Sequence, residues 1–211
     1  LIYGNKLKLF QIIEFEETET NNRNVDDVLL YEFGTLSLVA NHDMTAPDAP
    51  SADYFEQIIQ NNTVSIYNNW KALSLFDTFT MMGWNISQSS RNNWIDNYSG
   101  MIYLYALFVK VYLFALNNNY NSEKSGRDRS MISETYDEFE TKYYFIDISY
   151  NILPRMINTH IFKALEIAPE KCRLYERIER QNMLHEKKAD SKMNRLLFAM
   201  TNLTLMSAIW D

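Results

Sequence analysis

Cysteine, histidine, proline and glycine are all scarce in this 211-residue sequence, at one, three, four and five copies, and each scarcity removes a class of function. Cys172 stands alone, so there is no internal disulfide, which fits a reducing compartment. His42, His160 and His185 lie far apart, and His185-Glu186 lacks the second histidine one turn later that a zinc protease needs. Five glycines provide neither a dinucleotide-binding loop nor a P-loop, and no Gly-x-Ser-x-Gly elbow is present. Positive charge is also short: 20 Lys and Arg against 27 Asp and Glu give a net charge of −7. A general nucleic-acid binder would need a basic face to displace counterions from phosphates, so nucleic acid is not an expected partner. The residues present point to a non-catalytic protein with no cofactor of its own.

Apolar residues, in contrast, are plentiful. At 46% hydrophobic and 14% aromatic, the chain can bury the core of one domain, or of one domain with an appendage. Its charge is polarised. Residues 1–60 hold eleven acids against Lys6, Lys8 and Arg23, whereas Glu170 to Asp211 holds eight bases and six acids. A C-terminal end near an anionic surface suits that gradient.

The patterning predicts an α+β fold, predominantly helical. Residues 6–17 alternate as a strand with one wet face, and Val28–Phe33 and Leu36–Val39 read as two short strands about Gly34-Thr35. Together these form a small antiparallel sheet of about three strands in a β-rich segment, residues 1–50. A helical bundle is expected over 51–168. It opens with a helix at Tyr54–Gln60 capped by Ser51 or Asp53, and a second helix follows over Thr63–Met82 on the stripe Ile66, Trp70, Leu73, Phe76 and Thr80. After a break at Gly83–Asn93 comes a helix apolar all round, Asn93–Leu116. Trp94, Tyr98, Ile102, Tyr105, Val109, Tyr112 and Leu116 lie on one face, and Met101, Leu104, Phe108, Val111 and Ala115 on the other. Such a helix belongs at the centre of a bundle. Asn117–Arg129 reads as a polar loop, Ser133–Leu153 as a helix that Pro154 ends or kinks, and Arg155–Leu165 as helix. From Pro169 to Trp210 no glycine or proline intervenes, so residues 169–211 form one long helix of roughly 60 Å, with Asp190-Ser191 as the place where it would break.

Two charges are embedded in apolar helical runs, Asp77 and Lys110. A buried unpaired charge is expensive, so the two are expected to form a structural ion pair. Glu14, Glu16 and Glu17, Asp26-Asp27, and Asp137-Glu138 with Glu140 have the oxygen ligands a hard cation takes. Carboxylates on the wet side of an element are more simply solvated.

The C-terminal end carries the functional reading. Lys187, Lys188, Lys192 and Arg195 precede fifteen uncharged residues, Leu196 to Trp210. Leu196, Leu197, Phe198, Met200, Leu203, Leu205, Met206, Ile209 and Trp210 make a surface for a membrane or a partner, and a basic flank of this kind precedes membrane helices on their cytosolic side. The run is shorter than the roughly 20 apolar residues of a full span. With Leu1 rather than Met at the start, it reads as a piece of a longer protein ending where a membrane segment begins. The competing reading is a C-terminal helix docked on its own core.

This layout resembles the CorA-type divalent-cation channels. The residues that carry the likeness are the helical region Asp137–Leu165, the long stretch from Pro169, and the passage Lys192-Met-Asn-Arg-Leu-Leu-Phe-Ala-Met-Thr-Asn-Leu-Thr-Leu-Met-Ser-Ala-Ile209. The family's Gly-Met-Asn signature would fall beyond Asp211, and Gly83-Trp84-Asn85 does not stand in for it. The resemblance implies the cytosolic domain of a homo-oligomeric transporter on the cytoplasmic side of a membrane, with Mg²⁺ or a related divalent cation as its ion. The alternative is a soluble cytoplasmic interaction module that self-associates through the C-terminal helix.

Overall fold

The computed structural model describes residues 8–15, 25–37, 39, 45–47, 49–122 and 126–210, with backbone alone for residues 122, 126–130 and 205–210. The fold is α+β and 68% helical, with a small sheet in the N-terminal part and one long C-terminal helix. The sheet has four strands in the order β1-β4-β3-β2: β1 Leu9–Phe15, β2 Thr63–Val64, β3 Trp70–Ser74 and β4 Thr78–Trp84. It is mixed rather than antiparallel, because β1 runs parallel to β4, from Leu9 opposite Thr78 to Phe15 opposite Trp84. The strands extend to residue 84, past the expected boundary at residue 50.

Two segments exchange strand for helix, or helix for strand, against their sequence reading. The pair of strands expected at Val28–Phe33 and Leu36–Val39 is instead the helix α1, Asp27–Thr35. Local caps override the strand-like composition. The Asp26 carboxylate accepts the Val28 amide at 2.9 Å. Leu36 takes the left-handed conformation at φ 58° and returns its amide to the Glu32 carbonyl, closing the other end. The helix expected at Thr63–Met82 is the β2–β3–β4 meander. In its supposed stripe, Ile66 and Phe76 sit outside the strands and are 41% and 45% exposed, while Trp70, Leu73 and Thr80 are buried. β4 hid its period because it is central: Thr78 to Gly83 are all buried, so inward and outward residues do not alternate in polarity.

One face of the sheet holds α1 through Leu30, packed with Val25, Leu73 and Met82. Against the other face, Phe79 and Met81 join the main core with Trp94, Ile102 and Val109. On the α1 side, where Ile58 and Ile59 reach the same cluster, α2 (Ala52–Asn62) starts at Ser51, one of its two expected caps.

α3 (Gln88–Asn93), capped by Ser87, leads into a π-helical segment at Trp94–Tyr103 and then α4 (Leu104–Ser122). This helix is not central on all sides. Trp94, Tyr98, Ile102, Val109 and Leu116 are buried, but Met101, Leu104, Phe108 and Val111 are 44–66% exposed. The polar loop expected at Asn117–Arg129 is mostly helix, ending α4 and opening α5 (Gly126–Lys142). α5 stops eleven residues short of Leu153. Residues 143–151 are not helical, and Pro154 lies in the first turn of α6 (Ile152–Ala164), where its missing amide costs little. After Glu166, at φ 54°, α7 runs unbroken from Ile167 to Trp210, through Asp190-Ser191.

Contacts give the bundle its directions. Arg177 on α7 donates to Asn117 on α4 at 2.6 Å and Lys110 pairs with Glu170, so those helices are parallel. Lys171 pairs with Glu140 and Tyr175 packs on Tyr136, so α5 is antiparallel to both. Among the described side chains of α7 Ile178 is the last buried one, and every side chain from Asn182 to Thr204 is exposed. Residues 182–204 therefore extend α7 by about 35 Å beyond its core contacts.

Candidate functional site

Asp77 and Lys110 each have a partner, but not each other. Asp77 lies in the β3–β4 turn, closed by the Leu75 amide to the Thr78 carbonyl, and pairs with Lys8 at 2.9 Å. Lys110 pairs with Glu170 at the start of α7, with side chains only 19% and 13% exposed. The two ammonium groups flank the Phe76 ring, Lys8 at 3.5 Å and Lys110 at 5.4 Å from its centroid. The expected pair does not form because Asp77 lies in a hairpin turn rather than on a helix.

The described apolar side chains at the end of α7 are uncovered. Leu196, Leu197, Phe198, Met200 and Leu203 are 55–71% exposed. At 100° per residue they point around most of the helix circumference rather than along one stripe. Two hydroxyls in this run return to their own helix, Thr201 to the Leu197 carbonyl at 2.8 Å and Thr204 to the Met200 carbonyl at 2.9 Å. Lys187, Lys188, Lys192 and Arg195 are exposed just before it. The backbone continues as helix through Leu205, Met206, Ile209 and Trp210, whose side chains lie outside the described residues. Among the described residues one helical stretch is long and apolar enough to cross a membrane, Gln88–Asn121, whose most apolar 18-residue window has mean hydropathy 1.7; α7 does not reach that level, and the buried face of Gln88–Asn121 is part of the main core.

Of the acidic residues considered for a cation, Asp137 is exposed on α5 and five others are engaged elsewhere. Glu14 pairs with Arg91, Asp26 caps α1, Asp27 pairs with Lys71 at 2.7 Å, and Glu138 and Glu140 pair with Lys142 and Lys171. Glu16 and Glu17 lie outside the described residues. Among the described residues no three of His, Cys, Asp and Glu gather as ligands for one ion. Cys172 is exposed, and its hydrogen bond to the Glu176 carboxylate raises the thiol pKa, the opposite of nucleophile activation.

A cleft not foreseen from the sequence opens between the β2–β3 connection, the π-helical wall and residues 148–154, with a volume of about 1240 Å³. Its floor is an edge-to-face aromatic cluster: Trp94 lies 5.1 Å from Trp70 and 4.7 Å from Tyr98, ring centre to ring centre. Gly83 lets that floor form. A β-carbon there would come within 2.7 Å of the Asn69 carbonyl oxygen and 2.8 Å of the Trp70 β-carbon. Along one wall, the Asn97 amide donates to the Asn93 side-chain oxygen, and the Asn93 amide donates to the Tyr98 hydroxyl at 3.0 Å. Burial holds Tyr98 protonated above the usual tyrosine range, so its hydroxyl remains a donor. Further along the same wall, Tyr105 anchors the connection before α6 by accepting the Phe145 amide at 2.6 Å. The available signal was the pairing Asn93-Trp94 and Asn97-Tyr98 at a spacing of four, which puts amides and rings on one side of a helix.

No protein-family profile matches this chain, and neither curated proteins nor solved structures give a match.

Proposed function

We propose that this chain is the cytosolic domain of a membrane protein, with α7 as the stalk that carries its apolar end to the bilayer. The single observation behind this reading is that Leu196, Leu197, Phe198, Met200 and Leu203 all stay exposed around the helix. A helix end apolar over most of its circumference calls for an apolar surrounding. The basic flank Lys187, Lys188, Lys192 and Arg195 suits anionic headgroups, and the internally bonded Thr201 and Thr204 hydroxyls suit a medium without water. By its likeness in layout to the CorA-type channels, the whole protein is a homo-oligomeric divalent-cation transporter.

Co-sedimentation of the full chain with vesicles tests the tether. Binding is expected to be stronger to phosphatidylglycerol-containing vesicles than to pure phosphatidylcholine, and Phe198→Asp with Leu203→Asp should abolish it while leaving the melting temperature unchanged. A wild-type chain that stays in the supernatant, and self-associates with rising concentration, would replace the tether with a module joined through α7. The cation part has its own test. An ion held only by the folded state must raise Tm, so an unchanged Tm in millimolar Mg²⁺ counts against cation binding by this domain and leaves the tether standing.

A further inference from the structure

The volume of the aromatic cleft, about 1240 Å³, exceeds the roughly 300–1,000 Å³ usual for small-molecule sites. Its position owes nothing to the α7 stalk. Three features make it a built site rather than a packing fault.

The first is the wall. Ten consecutive π-helical residues, Trp94–Tyr103, are long for a conformation that mostly occurs as single turns and concentrates at functional sites. In an α-helix, residues four apart rotate by about 40° per step away from a common face. With ~4.4 residues per turn a π-helix rotates them the other way, so a π stretch followed by α-helix holds a four-residue repeat on one side. Asn93-Trp94, Asn97-Tyr98, Met101-Ile102 and Tyr105 follow that repeat and all line the cleft.

The second is hydrogen-bonding capacity. In the Asn97–Asn93–Tyr98 chain, the phenol accepts from Asn93 and keeps its own proton to give. Asn151 precedes α6 at the capping position but makes no side-chain cap bond. Primary amides both donate and accept, as a hydroxyl does.

The third is charge. Among the described residues no Asp, Glu, Lys, Arg or His lines the cleft. A phosphate, a carboxylate or a metal ion would find no counter-charge there, and burying it unpaired is costly.

Aromatic faces with neutral amides at their edge fit a molecule that has an apolar C–H face and a rim of hydroxyls. We infer that this cleft binds a neutral carbohydrate, and that its volume accommodates a short oligosaccharide. Tyr67, 56% exposed beside Trp70 at a ring separation of 6.1 Å, supplies an outer stacking platform. Asn97 and the Tyr98 hydroxyl bond the ring's hydroxyls.

Saturation-transfer difference NMR on the full chain tests this, with maltotriose, cellotriose and triacetylchitotriose as probes and adenosine and a proline-rich decapeptide as comparisons. At least one trisaccharide should bind saturably and more tightly than either comparison. Asn97→Ala and Tyr67→Ala, both at exposed positions, should each weaken it about tenfold, the worth of one hydrogen bond or stacking contact. Their Tm and vesicle binding should not change. Tyr98→Phe, which removes only the hydroxyl, should weaken binding similarly. The inference is overturned if none of the three sugars binds saturably, if binding survives both exposed-site substitutions, or if adenosine or the peptide binds more tightly.

Discussion

At the scale of single residues, the fold settles its internal charges in pairs. Lys110 and Glu170 are mostly out of water, so losing one partner strands the other. Glu170→Ala should destabilise the protein by about 2–4 kcal/mol. Lys110→Met combined with Glu170→Leu should recover most of that loss, as measured by urea unfolding; a double variant no better than the single would mean the pair matters through its shape, not its charge. That each embedded charge needs a partner was legible in the sequence. Which partner it takes was not, because that depends on Asp77 lying in a hairpin turn. Tyr103 is a second residue-scale case. Burial first, and then the nearby Asp77 charge, raise its hydroxyl from 10.0 to about 12. The folded state thus keeps a proton that the unfolded chain gives up near pH 10. This contribution is complete below the unfolded value and is lost as pH rises through about 12. Stability should fall across that alkaline window, and Tyr103→Phe should flatten the slope in urea titrations at successive pH values. Tyr136 shifts in the same direction through burial, so some slope should remain.

At the scale of elements, the sequence was most readable where one face of a segment is wet. β1, α2 and the unbroken α7 all lie where their patterns put them. α1 and the β3–β4 hairpin were misread for opposite reasons. α1 has strand-like composition but is fixed by Asp26 and the left-handed Leu36, whereas β4 is buried on both faces and loses its alternation. The π-helical segment left no periodic signal of its own, since a four-residue repeat fits an α-helix over two turns. The hairpin depends on Gly83, opposite Trp70 in the ladder. Because the obstruction at that site includes a backbone carbonyl and a β-carbon, Gly83→Ala must push the two strands apart. The expected loss is about 1–3 kcal/mol, with a change in tryptophan emission as Trp70 shifts against Trp94. An unchanged emission spectrum at full stability would mean that the floor of the cleft is not set by this contact.

At the scale of the whole molecule, α7 joins two environments. Ile167, Leu174 and Ile178 belong to the core, whereas Asn182–Thr204 has no buried side chain. A helix without tertiary packing opens easily, because propensity alone barely sustains it. In buffer, amides from about residue 183 onward should therefore exchange with deuterium much faster than those of residues 167–178. Anionic vesicles should change this unevenly. Protection should start near Leu196, where the charges stop, and the polar stretch from Glu186 to Lys192 should stay open because nothing there enters the bilayer. Self-association through the same helix predicts a different pattern, with protection that appears without lipid and deepens with protein concentration. A helix folded back onto its own domain would be protected in buffer at any concentration. Peptide-resolved exchange in these three conditions therefore separates tether, self-association and intramolecular docking by where protection begins and what it depends on. The tether requires that protection begin at the boundary between Arg195 and Leu196, and only when lipid is present.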